Sequence, residues 1–258
     1  MLTEYVAHLE RIGRSPKYVY ENRRTIETRL REPLGAVLLE KLETRHLDDL
    51  YAGWAHDGLA GSTITRYAVV VLQVLKLAQR RGYVDRNPAA PELVTMPRGK
   101  SKRETLTPSV AETQALIRAA EARDDYNLAA AIALAFATGA RRGELCALRW
   151  SDVDLEAGTV TVRRSLGLVG SELLEGPTKT RKVRTIQLDS LSLALLETHK
   201  ARTSGGDAER VLELTPNKIT DRFRKLVAKT DGVRDGARFH DEPPPLQRQR
   251  PIQKEEAP

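Results

Sequence analysis

The stretch AAIALAFATGARRGELCALRWSD, residues 130–152, decides the reading of this chain. An apolar, Ala-rich run ends at Thr138-Gly139, and glycine directly after a periodic apolar segment is a helix stop. A second, amphipathic pattern opens at Arg141 and places Leu145 and Leu148 on one face. Two further pieces follow in order: the basic segment GPTKTRKVRTIQL (176–188) and then RFHDE (238–242).

Working outward, residues 1–90 read as three or four amphipathic helices with short loops, a compact bundle. Ser15-Pro16 forms a cap and first-turn pair, with Val19, Ile26 and Leu30 behind it at helical spacing. Thr44 is expected to cap a helix carrying Leu47, Leu50, Tyr51 and Trp54. Ser62 is expected to open a long helix with Ile64, Val71, Leu75 and Ala78 on one face and Gly82 as its stop. The chain starts inside a helical pattern, Leu2–Ile12, so an earlier segment is expected. Residues 91–106, with two prolines, a glycine and the basic run Arg98, Lys100, Lys102 and Arg103, read as a linker. Beyond it, Thr107-Pro108 is expected to cap a helix with Ala115, Leu116 and Ala119. Helices follow over Tyr126–Thr138, Arg141–Leu148, Leu191–His199 and Lys218–Lys229. TVTVRRS (159–165) and KVRTIQL (182–188) alternate and hold β-branched residues, so both read as strands. The fold class is mainly α with a small β-hairpin or sheet.

The length of 258 residues suits one large or two modest domains. Apolar residues make up 40% and aromatic ones 5%, so aliphatic side chains must build the core. A net charge of +7 and a pI of about 9.6 favour a polyanionic partner. The single cysteine, Cys146, excludes an internal disulfide and a cysteine-cluster metal site, and its place in ELCAL predicts a core residue. The N-terminus carries charges throughout with no signal-like apolar core, and no stretch reaches the length of a membrane span. A cytoplasmic protein with no membrane partner is expected.

The three pieces, in their order, resemble the tyrosine recombinases, the phage integrase family. The resemblance implies a helical core-binding (SAM-like) domain over 1–90, a basic linker over 91–106 and a catalytic domain over 107–241. It also implies DNA strand exchange through a 3′-phosphotyrosyl intermediate, without metal or other cofactor. Such chemistry needs a nucleophile, cationic donors for the non-bridging phosphate oxygens and an acid for the leaving 5′-oxygen. Arginine suits the donor role because its planar fork stays charged and can bind two oxygens at once. By the family's Thr-Gly-x-Arg pattern, Arg141 inherits the phosphate clamp, and Glu144 matches a supporting acidic position. Lys179 matches the family's hairpin lysine, the implied general acid, with Lys182 as the alternative register. Arg181, Lys182 and Arg184 are expected to reinforce phosphate contact, and His240 takes the histidine of the family's His-x-x-Arg box. Arg66, Lys76, Arg80 and Arg81 on the long helix, with Arg98, Lys100 and Lys102 in the linker, are candidate contacts to double-stranded DNA.

The resemblance stops at Asp241. Pro243 stands where the box's arginine is expected, and all seven tyrosines lie at or before Tyr126, so no nucleophile has a counterpart. Residues 242–258 hold five prolines in 17 residues and are expected to be disordered. A reading-frame change, a splice or a fusion would produce such a switch. The expectation is therefore a DNA-binding, integrase-like chain without catalytic activity. The alternatives are a decoy or regulator that pairs with other copies or with an intact recombinase, and a remnant without function.

Overall fold

The computed structural model describes residues 1–98, 106–178, 180–203 and 206–239. The chain divides into two compact units, Met1–Glu104 and Thr105–Pro258.

In the first unit, α1 (Leu2–Arg11) buries Tyr5, Val6 and Leu9. Ser15 accepts the Tyr18 N–H at 3.4 Å and Pro16 opens α2 (Pro16–Thr25), where proline's missing N–H costs nothing. The helix does not end at Thr25 but widens into a π-turn over Ile26–Leu30 and continues as α3 (Arg31–Leu34). The hydroxyls of Thr25 and Thr28 bond back to the carbonyls of Glu21 and Arg24 at 2.9 and 2.8 Å, competing with the helical ladder where it loosens. Ile26 and Leu30 on this turn are fully buried.

α4 (Thr44–His56) is capped by Glu43, not by Thr44 as expected. The His46 N–H donates to the Glu43 carbonyl at 3.1 Å, and the Glu43 N–H donates to His46 Nδ1 at 3.0 Å. Thr44 lies one residue inside, its hydroxyl committed to the Pro88 carbonyl at 3.0 Å. α5 starts at Gly61, one residue before the expected Ser62, and runs to Arg80. It buries Ile64, Val71, Leu75 and Ala78 as the spacing predicts, with Val70, Val74 and Leu77 widening the stripe. Gly82 follows at φ +72°.

In the second unit, α6 (Val110–Glu121) is capped by Ser109 rather than by the expected Thr107. Ser109 and Glu112 exchange side-chain and backbone hydrogen bonds in a capping box, two orphan donors satisfied at once. α7 (Tyr126–Thr138) buries every residue from Leu128 to Leu134, so it is the central helix. α8 is short, Arg142–Cys146, because the chain leaves the helix before the expected Leu148. Strands β1 (Val153–Asp154), β2 (Thr159–Val162) and β5 (Arg184–Gln187) make one antiparallel sheet in the order β1-β2-β5, with Val160 opposite Ile186. β3 (Arg164–Val169) and β4 (Glu172–Pro177) form a separate hairpin with Ser165 opposite Gly176.

TVTVRRS is therefore not one strand. Arg163 and Arg164 both reach the carboxylate of buried Asp152, the former at 2.9 Å, although successive strand residues point to opposite faces. The alternation breaks at Arg163, and the chain leaves the sheet for the hairpin. α9 (Ser190–Arg202) is capped by Asp189 and α10 (Pro216–Val227) by Thr215. The second helix sits two residues earlier than the expected Lys218–Lys229. The segment after α9 is tied back: the Trp150 N–H donates to the Glu209 carbonyl at 3.0 Å, the Val211 N–H to the Leu148 carbonyl at 2.9 Å, and buried His199 bonds the Val211 carbonyl through Nε2 at 2.7 Å.

α8 lies against β3 because residue 143 is glycine. A Cβ there would stand 2.6 Å from the Leu166 carbonyl oxygen and from Ser165 Oγ. We expect Gly143→Ala to destabilise the second unit by about 1–3 kcal/mol, the usual cost of overpacking against backbone. Gly53→Ala in α4, where a Cβ meets nothing within 4 Å, should be neutral or stabilising by up to about 1 kcal/mol. Thermal melts of the two variants beside the parent chain check both directions.

Candidate functional site

The turn after α7 is built by four residues in a row. The Thr138 hydroxyl donates to the Leu134 carbonyl at 2.6 Å and accepts the Ala140 N–H at 3.1 Å, so the side chain stands in for the interrupted helical ladder. Gly139 takes the left-handed conformation, φ +60°, which a residue with a Cβ adopts only at a cost. Ala140 is buried, and Arg141 is extended as the N-cap of α8. The sequence Thr-Gly-Ala-Arg thus turns the chain sharply and starts a new helix on an arginine.

Glu144 holds that arginine. Its carboxylate is 1% exposed and accepts the Arg141 backbone N–H at 2.9 Å, the Arg141 guanidinium at 3.2 Å and the Arg184 guanidinium at 2.6 Å. Burial raises the Glu144 pKa. The Arg184 hydrogen bond, the Arg141 N–H and the two guanidinium charges more than offset that, and the net shift is downward. The side chains of Arg141 and Arg184 remain 35% and 26% exposed. Each guanidinium carries five N–H donors, so both keep donors for a ligand at the surface. Arg184, at the start of β5, was expected only among the reinforcing basic residues. It is the second arm of the buried carboxylate.

The loop before β5 is shaped by Thr178, which is 2% exposed. Its hydroxyl donates to the Lys182 carbonyl at 3.2 Å, its own carbonyl accepts the Arg181 N–H at 2.9 Å, and Arg181 adopts φ +55°. Arg181 and Lys182 are exposed there. Lys179, in this loop, and His240 lie outside the described residues, as do Lys100, Lys102 and Arg103 of the linker, Pro243 and the tail from residue 242. The residues leading to His240 are described. Ala237 pairs with Leu106 in a parallel bridge, and the Arg238 N–H donates to the Leu106 carbonyl at 3.0 Å. Phe239 meets Phe223 edge-on at 5.3 Å and packs against the core cluster that contains Ala140 and Leu145. Arg234 grips buried Glu112 through its N–H and guanidinium at 2.9 Å, and these bonds hold the Glu112 carboxyl well below the ordinary glutamate range.

In the first unit, Arg66, Lys76, Arg80 and Arg98 are exposed. At 100° per residue the first three fall within an arc of about 80° on α5, outside its buried stripe. Arg81 does not join them, because it forms an ion pair with Glu4. Cys146 is fully buried, and burial pushes its thiol up to about 12, in keeping with a core role. Among the described residues no group of three or more His, Cys, Asp or Glu could hold a metal ion, and no helix is long and apolar enough to cross a membrane.

Residues 105–241, more than half of the chain, match the phage integrase family. The prophage integrase IntR of Escherichia coli (strain K12) is 33% identical over 160 residues, 61% of this chain and 36% of that protein. A putative integrase/recombinase of Haemophilus influenzae (strain ATCC 51907 / DSM 11121 / KW20 / Rd) is 25% identical over 221 residues, 82% of this chain and 65% of that one. The chain thus spans between about a third and two thirds of these curated relatives. The Tn1549 transposon integrase, solved in complex with transposon right end DNA, superposes with a TM-score of 0.78 at 17% identity, covering 93% of this chain and 83% of that one. A lambda integrase dimer bound to a COC′ core site gives 0.67 at 20% identity, covering 93% and 66%. The fold is that of the integrases, and the chain belongs to the phage integrase family, the tyrosine recombinases.

Replacing Glu144 with Gln keeps the shape and removes the charge. We expect a loss of about 2–4 kcal/mol at neutral pH, since two arginines lose their shared buried partner. The folded-state pKa of Glu144 is depressed. Its contribution is therefore full above the ordinary glutamate value of about 4.3 and disappears as pH falls through the lower folded value. Melts across that window should show the gap between parent and Glu144→Gln closing at the acid end.

Proposed function

We propose that a polypeptide of these 258 residues binds duplex DNA as a tyrosine recombinase does and does not itself complete strand exchange. The observation that carries the reading is the Glu144 carboxylate, buried and holding Arg141 by both its backbone and its guanidinium while leaving donors at the surface. A phosphate needs such a fixed, charged fork. Arg141 then clamps the non-bridging oxygens, with Arg184 beside it on the same carboxylate. By the family pattern Lys179 serves as general acid, and His240 adds a further donor. Residues 1–90 act as the core-binding domain, 91–106 as the linker and 107–241 as the catalytic domain, with 242–258 outside the family pattern. DNA in the solved integrase complexes, and the dimer and tetramer forms of lambda integrase, support assembly of several copies on DNA.

Strand exchange needs parts that these residues lack. Pro243 brings no charge where the pattern has arginine, and the loss of one such donor typically costs on the order of 10²–10³ in rate. No tyrosine follows Tyr126, and the covalent step requires one.

Fluorescence anisotropy with a labelled duplex should give an affinity that falls with salt, with a slope of about −0.9 for each phosphate neutralised. Arg141→Ala should weaken binding and shallow that slope. A salt-independent or absent signal would remove the DNA reading. A nicked suicide duplex should yield no SDS-resistant protein–DNA adduct, and an adduct would show that a nucleophile is present after all.

A further inference from the structure

The first unit carries a second arginine arrangement, which joins Arg66, a candidate DNA contact, to Arg29. Tyr51, Trp54 and Tyr67 form an aromatic chain leading outward from the core. Tyr51, fully buried, is tilted against Trp54 at 5.5 Å, and Trp54 meets Tyr67 edge-on at 5.4 Å. On the ring of Tyr67 sit two guanidiniums, Arg66 at 5.3 Å and Arg29 at 5.9 Å. Arg66 comes from α5, and Arg29 from the π-turn. A π-turn inside a helix is a frequent mark of a functional position.

The neighbours of Arg29 make the contrast. Arg23 is neutralised by Glu10, and Arg31 by Glu27. Neither Arg29 nor Arg66 has a carboxylate partner among the described residues, and both are exposed. Two like charges gathered on one ring repel each other unless an anion joins them. The ring restrains both side chains in advance, so less freedom is lost when an anion binds.

We infer that Arg29, Tyr67 and Arg66 form a preorganised phosphate-binding platform that takes the DNA backbone and reads no bases. The inference rests on the DNA-binding reading above. Phosphate contacts set affinity and salt dependence and carry no sequence information directly, so the platform should act alike on any duplex.

The test uses the full chain and two labelled duplexes of equal length and unrelated sequence, with anisotropy followed across salt. Arg29→Ala and Arg66→Ala should each weaken binding to both duplexes by the same factor, about 3–10-fold, and each shallow the salt slope by about 0.9. Arg31→Ala removes an equal charge that Glu27 already neutralises and should leave the slope unchanged. Tyr67→Phe should bind as the parent, and Tyr67→Leu, with both arginines intact, should bind more weakly. Circular dichroism melts confirm that each variant is folded. No binding by the parent chain would sink the DNA reading itself. Binding by the parent with unchanged slopes in Arg29→Ala and Arg66→Ala would overturn the platform alone. So would an equal effect of Arg31→Ala, or unequal effects on the two duplexes.

Discussion

The second unit depends on one buried charge. A carboxylate at 1% exposure is tolerated only when its oxygens are paired, because an unpaired buried ion costs several kcal/mol. Glu144 meets that demand with a backbone N–H and two guanidiniums, and its partners come from different places in the chain. Arg141 sits at the turn after the central helix, and Arg184 at the start of β5. One carboxylate therefore ties a helix start to a sheet edge and fixes both arginines relative to each other. The neighbouring glycine serves the same geometry, since α8 can lie on the β3 backbone only without a Cβ at residue 143.

The same solution recurs. The buried acidic residues among those described are Glu112, Glu144 and Asp152. Each has arginine at its carboxylate: Arg234 on Glu112, Arg141 and Arg184 on Glu144, Arg163 and Arg164 on Asp152. The three pairings do different work. The Glu112 pairing fastens the start of the second unit to the segment that leads toward His240. The Asp152 pairing breaks a strand and begins a hairpin. The Glu144 pairing presents two cations at the surface. In a chain with an excess of basic residues, buried acids decide which arginines are structural and which retain donors for a partner. Arg29 and Arg66 show the other case, charges held by an aromatic ring rather than by an acid.

Local chemistry was legible wherever it acts over a few residues. Ser15-Pro16, the Ile64–Ala78 stripe and the Thr138-Gly139 stop each follow from helical spacing and capping, and the structure places them there. The caps fall at Glu43 and Ser109 rather than at Thr44 and Thr107 because a nearby residue has the better partner. Glu43 reaches His46, and Ser109 reaches Glu112, while the Thr44 hydroxyl is drawn to Pro88, 44 residues away. The hairpin over residues 164–177 is hidden in the sequence, where it looks like the tail of one strand followed by a glycine-containing loop.

The sequence by itself determined the helical class, which rests on spacing within one or two turns, and the order of the three motifs, whose resemblance implied the family and pointed to Arg141 and Glu144. Tertiary structure alone decided that Arg184 shares the Glu144 carboxylate, that Gly143 admits β3, that Arg81 is spent on Glu4 and that Arg29 reaches Tyr67. Each joins residues 20 or more positions apart, and no periodicity encodes which distant side chain will meet a given charge. The chain must fold before burial selects the partner.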